Sequence, residues 1–243
     1  TVEISENGKR FLDDARQTVA QFERTIRGSR RNGVGDRGHI IIGYSALATS
    51  TQLSDGLETF QALYPGVQVE MHVMSTDTMM RNIKTGAIDL GFLMAHDTVR
   101  DPVISQRVAW TSPIGLVAPH DTADKTLDAL RTAPFIMGVR ENWRAYRALL
   151  DDAFEKTGFT PVIEDEAWDI HVILQRVADG RGYTFHPITA ESSMPRALRI
   201  MPLEELDAEL SIAIAWSAAA DTSLLRMFRA QYASPARVTD RQP

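Results

Sequence analysis

Apolar residues fall into one rhythm before Gly38 and another after it. Residues 6–27, ENGKRFLDDARQTVAQFERTIR, carry Leu12, Ala15, Val19, Phe22 and Ile26 at alternating spacings of three and four, with charged residues elsewhere. This is the seam of a coiled coil, and it predicts an amphipathic helix roughly 33 Å long. Ser5 is the expected N-cap and Gly28 the stop. The following GSRRNGVGDRG, rich in glycine and arginine, reads as a flexible linker. A helix standing outside such a linker is expected to pair with its copy in a second chain. Packing of the stripe on the protein's own body is the alternative.

From Gly38 the rhythm becomes short strand, helix, short strand. HIIIG is a continuous apolar run suited to a strand covered on both faces. STQLSDGLETFQALY reads as a helix, PGVQVEMHVM as a strand with Val67, Val69, Met71 and Val73 at period two, DTMMRNIKTG as a helix and AIDLGFLMA as a strand. This β-α-β-α-β order predicts a parallel sheet. The middle third repeats it: after RVAWTSPIGLVAPH come helix KTLDALRT, strand PFIMGV, helix NWRAYRALLDDAFEKTG, strand TPVIEDEA, helix DIHVILQRVADG and strand GYTFHP. LRIMPL and ELSIAIAWS are read as strands and DTSLLRMFRAQY as the last helix. Two open α/β lobes imply a cleft, with ligands expected outside the carboxyl ends of the strands.

One strand–helix junction is unusually rich in hydroxyls. Tyr44, Ser45, Thr49, Ser50 and Thr51 follow HIIIG within eight positions, and STDT, Ser75 to Thr78, repeats the arrangement with Thr76 or Asp77 as N-cap. Free backbone N–H groups and the positive helix end converge at such a junction, favouring an anion or polar ligand. Capping of the helices' own first N–H groups is the competing explanation at each place.

Composition narrows the possibilities. The chain has 243 residues, enough for one large or two modest domains, with 44% hydrophobic and 24% charged residues. A net charge of −6 argues against nucleic-acid binding by this stretch itself. With no cysteine, disulfides, thiolate metal sites and cysteine nucleophiles are excluded. His72, His96, His120 and His171 share no metal-ligand spacing, and neither metal nor cofactor is expected. No G-x-S-x-G, P-loop, G-x-G-x-x-G or H-E-x-x-H motif occurs, and the acidic EDEAWD suits a solvated strand end; no enzyme is expected. No apolar run reaches the ~18 residues of a membrane span, and the polar first 30 residues do not read as a signal peptide. The cytoplasm is the expected compartment, without membrane partners. Thr1 and the opening TVEISENGKRF read like the middle of a longer chain, so an N-terminal part is expected to precede them.

Segments along nearly the whole length resemble the linker helix and effector-binding domain of LysR-type transcriptional regulators. VEISENGKRFLDDAR is similar to the family's segment leading from the wing into the linker helix, and GHIIIGYS to its first effector-domain strand. LETFQALYPGVQVEMHVMSTDTMMRNIKTGAIDLGF is the most characteristic block, and ADGRGYTFHP resembles a second-lobe strand entered through a Gly-x-Gly turn. The resemblance implies two Rossmann-like lobes of periplasmic-binding-protein type preceded by a long dimerisation helix. It divides the chain into wing end and linker helix (1–28), hinge (29–38), lobe I (39–112 and 216–243) and lobe II (113–215), with crossings near Thr111–Ile114 and Ile214–Ser217. It further implies a small-molecule effector between the lobes, dimers or tetramers of this chain, and promoter DNA contacted only through a winged helix-turn-helix before Thr1.

Carried over residue by residue, the effector site comprises Ser45, Ala46, Leu47, Ser75, Thr76, Met94, Phe185 and His186. Leu47 and Met94 stand where other members carry a hydroxyl and an arginine, which makes the site more apolar and suits an aromatic or less charged effector. His186 is an imidazole at a strand end, able to donate to a carboxylate or phenol. Arg140, with Asn142 and Trp143, opens a second-lobe helix and is placed to cover a ligand; an ordinary surface turn is the alternative. A periplasmic-type solute-binding protein shares the bilobal plan, but the dimerising helix and the absence of a signal peptide argue against it. A two-lobed enzyme of the porphobilinogen deaminase kind would need a cysteine for its cofactor.

Overall fold

The computed structural model describes Ser5, Gly8, Phe11, Ala15 and Thr18, then residues 38–95 and 101–232. Gly8, Phe11, Ala15 and Thr18 are helical; the remainder of the expected coiled-coil helix, the linker and His96 lie outside the described residues.

Lobe I begins with β1 (Gly38–Tyr44), α1 (Thr51–Leu63), β2 (Val67–Val73), α2 (Thr76–Thr85) and β3 (Leu90–Met94). β1 pairs in parallel with both β2 and β3, as a β-α-β-α-β order requires. Ile40 and Ile42 point to one face of β1, where Phe60 of α1 is fully buried, and Ile41 points to the other, against Met79 and Ile83 of α2. Both faces are therefore covered, which explains the unbroken apolar run of HIIIG.

β4 (Ile104–Pro119) then runs through both lobes. Its first half pairs with β9 (Glu209–Ser217) as far as Pro113. From Ile114 it pairs instead with β7 (Thr184–Pro187) and β8 (Leu198–Pro202). Pro113 has no N–H to give to a ladder and sits where the strand exchanges one partner for another. β4 thus changes partners between Pro113 and Ile114, within the stretch where the outgoing crossing is expected.

Ile214–Ser217, where the return crossing is expected, forms the end of β9. β9 pairs antiparallel with β4 along its length and with β3 from Ile212 to Trp216. Ile212, Ala213, Ile214 and Ala215 are buried on both faces of that sheet, and no part of so apolar a strand could be left outside it. The lobe I sheet is consequently mixed rather than all parallel, in the order β2-β1-β3-β9-β4.

Lobe II adds β5 (Pro134–Gly138), α3 (Arg140–Thr157), β6 (Val162–Ala167) and α4 (Ile170–Ala178) before β7. β5 and β6 are parallel, and β5 reaches β7 through a bridge between Phe135 and Tyr183. Gly182 permits that approach: its φ is +154°, and a Cβ there would lie 2.5 Å from the Pro134 carbonyl oxygen. The expected helix KTLDALRT shrinks to one 3-10 turn, Asp128–Leu130. Only Leu127 and Leu130 anchor that segment, too little burial to offset the cost of nucleating a helix so short. Finally α5 (Ser223–Ala230) returns to lobe I, its Phe228 ring 4.9 Å from Phe60.

Candidate functional site

The C-terminal ends of β1, β2 and β3 all open in one direction, as parallel strands must. At the end of β1, the Ser45 backbone N–H donates to the Phe92 carbonyl (3.0 Å), which ties the turn to β3. Ser45 then begins a 3-10 turn, Ala46–Ala48, in which Leu47 and Ala48 are buried. The Ser45 hydroxyl caps nothing: its Oγ is buried and has no hydrogen-bond partner. Ser50 is the cap of α1, accepting from the Leu53 N–H at 3.3 Å. Gln52, in the first turn of α1, buries its Oε1 with no partner.

At the end of β2 the cap is Ser75, one position earlier than expected. Its Oγ accepts from the Thr78 N–H at 3.4 Å and donates to the Thr78 hydroxyl at 3.1 Å. Thr76 is half-buried, with its hydroxyl in no hydrogen bond among the described residues. Met94 ends β3 and is buried; Ala95, next in the chain, donates to the Ser211 carbonyl of β9.

Lobe II presents His186 and Phe185 in opposite senses, as alternation along a strand dictates. The Phe185 ring lies in the core of that lobe, stacked on Phe135 with centroids 5.1 Å apart and planes 5° from parallel, and 5.1 Å from Phe154. His186 is as deeply buried, its Nδ1 has no partner, and burial pushes its pKa down to about 4. The imidazole is therefore neutral at ordinary pH.

Two contacts hold the lobes together here. A 3-10 segment, Ile188–Ser193, follows directly on β7, and its Ser192 hydroxyl shares a hydrogen bond of 2.7 Å with Thr51 at the start of α1. The Thr189 N–H donates to the Ser112 Oγ at 3.1 Å, just before β4 changes partners. The first of these brings Thr51, at the start of α1, up to the segment that leads out of His186.

Arg140 stands apart. It is exposed at the start of α3, where its guanidinium makes a two-toothed ion pair with Asp151 at 2.6 and 3.3 Å. The neighbouring Asn142 and Trp143 side chains both donate to the Trp168 carbonyl, at 2.9 and 3.0 Å. The sequence pattern singled out Thr51 only as one of the junction hydroxyls, and it passed over Gln52, Ser112 and Ser192. For Gln52 the one signal is position, in the first turn of a helix that follows a strand; Ser112, inside β4, and Ser192, in the 3-10 segment, carry none. Among the described residues no group of histidine, aspartate and glutamate could hold a metal ion, and no helix is long and apolar enough to cross a membrane.

A family profile of the LysR substrate binding domain matches residues 33–234. This chain belongs to that family. As a LysR substrate-binding domain it is the ligand-sensing part of a transcriptional regulator. It is 28% identical over 219 residues to the HTH-type transcriptional regulator AlsR of Bacillus subtilis, an alignment covering 87% of this chain and 72% of AlsR. The LysR family regulator CbnR has a similar structure (TM-score 0.78, 20% identity, 95% of this chain and 81% of that one). So does the BenM effector binding domain with its effector benzoate (TM-score 0.64, 18% identity, 82% of this chain and 91% of that one). At these identities the two structures establish a shared fold, with the bilobal α/β plan of periplasmic-binding-protein type.

Proposed function

We propose that this LysR-type domain binds a small effector between its lobes, against the C-terminal ends of β1, β2, β3 and β7. Buried polar atoms without partners carry this reading: Ser45 Oγ on lobe I and Nδ1 of the neutral His186 on lobe II. An unpaired buried polar atom costs about 1–3 kcal/mol, so a fold retains such atoms where a ligand supplies the missing partner. Ser45, Ala46, Leu47, Ser75, Thr76, Met94 and His186 form the site in this reading, whereas Phe185 supports it from the lobe II core and Arg140 takes no part. Leu47 and Met94 make part of the wall apolar, which suits the ring of an aromatic effector, carboxylate-bearing or not, and benzoate, the effector of the fold-related BenM domain, has such a ring.

The effector acts by differential affinity for two lobe arrangements, which changes the geometry of a dimer or tetramer of this chain. Promoter DNA is read by a separate winged helix-turn-helix outside this sequence, consistent with a net charge of −6 here. The protein works in the cytoplasm as a sensor, not as an enzyme.

The deciding variant is Ser45→Ala, compared with wild type in a thermal-shift screen of aromatic acids, other carboxylates and amino acids. Removing a hydroxyl that has no partner leaves the melting temperature of the free protein unchanged or raised, and weakens every hit at least about fivefold. Full affinity in Ser45→Ala would remove this site from the reading.

A further inference from the structure

The unpaired atoms where the lobes meet have a definite hydrogen-bonding character. A carboxamide oxygen such as Gln52 Oε1 only accepts, a serine hydroxyl donates or accepts, and a neutral imidazole nitrogen accepts whenever its ring partner holds the proton. Arg140, the cation expected to cover a ligand, is committed to Asp151. On the elements packed around β7, the second half of β4 and all of β5 have no ionisable side chain. In α4 His171 is exposed and Arg176 is paired with Asp165, and Glu191 in the 3-10 segment is exposed. A bare carboxylate set against the Gln52 oxygen would put acceptor against acceptor; a hydroxyl group would satisfy it.

We infer that the effector is a hydroxylated small molecule that donates a hydrogen bond to the Gln52 carboxamide oxygen, making Gln52 a specificity-determining residue of the cleft. This rests on the cleft reading above and narrows it. Gln52 sits one residue after Thr51, whose bond to Ser192 brings the first turn of α1 against lobe II, and its buried, unpartnered oxygen belongs to that turn. A leucine at this position would fill similar space and accept no hydrogen bond.

The experiment is calorimetric titration of wild type, Gln52→Leu, Ser45→Ala and His186→Gln with matched pairs: benzoate and 3-hydroxybenzoate, butanoate and 3-hydroxybutanoate. Wild type binds the hydroxylated member of at least one pair about tenfold or more tighter, and Gln52→Leu reduces that preference below about threefold without weakening the other member. Equal affinities within each pair in wild type, or a preference that survives Gln52→Leu, overturn the inference. In that event continued loss of binding in Ser45→Ala leaves the cleft reading standing. Binding indifferent to Ser45→Ala and His186→Gln overturns both, as does the absence of binding by any of the four compounds.

Discussion

Truncating Phe185 to alanine separates a core role from a ligand-facing one. The side chain is 2% exposed and meets Phe135 and Phe154 at 5.1 Å and Phe159 at 6.5 Å between centroids. Returning a buried ring to water forfeits roughly 1.5–3 kcal/mol, and each aromatic pair adds about 0.5–1.5 kcal/mol. The walls cannot collapse fully, because Phe135 is held on the β5–β7 bridge, so a cavity persists. Together these place Phe185→Ala in the range of about 3–5 kcal/mol, at the upper end of large-to-small core changes. For a chain of this size that lowers the melting temperature by roughly 6–20 °C. Urea unfolding checks it: the midpoint falls while the slope is preserved. A loss below about 1 kcal/mol would mean that the ring turns out of the core, and Phe185 would return to the list of ligand contacts.

Acid should weaken the fold through His186. Its folded pKa of about 4 lies below the ordinary histidine value of 6.5, so between those values the unfolded chain binds more protons; stability is full above about pH 6.5 and is lost as pH falls toward 4. The total is about 3 kcal/mol, and His186→Gln should flatten the urea midpoint against pH across that window; an unchanged slope would assign the acid sensitivity elsewhere. Gly56→Ala should destabilise despite the better helix propensity of alanine, because its Cβ would enter the Tyr232 ring, whose hydroxyl donates to the Leu53 carbonyl at 3.0 Å. The net cost is about 1–2 kcal/mol by thermal unfolding, and it should largely vanish in a Tyr232→Ala background; additive losses would show that the ring simply moves aside.

The local elements were legible because their periodicities are strong. HIIIG, the period-two run through Val73 and the hydroxyl-rich junction at Ser45 all lie where pattern and capping chemistry put them. Long-range arrangement was not. ELSIAIAWS reads as a buried strand in any sheet, and nothing in its alternation says that it runs antiparallel between β3 and β4. In TFHP all four residues are buried, so alternation between a wet and a dry face vanishes, and the inward turn of Phe185 could not be separated from the setting of His186. Arg140 has a partner eleven positions away in α3, a distance set by the bend at Trp143 and not by ordinary helical spacing. Gln52 looks like any polar residue in a first helical turn. Only its surroundings reveal that its oxygen is dry.

The passage of β4 through both lobes fixes an order of assembly on the ribosome. Every strand and helix of lobe II lies between Ile114 and Pro202, a continuous stretch that can close on itself as soon as it emerges. Lobe I has to wait. Its sheet stays split between β3 and β4 until Glu209–Ser217 has been made, and its aromatic core lacks Phe228 and Tyr232 until the last described helix arrives. The hydroxyl-rich junction of β1 and α1, translated early, is thus completed late, and a premature stop after lobe II would leave the sensor with one finished half and one open edge.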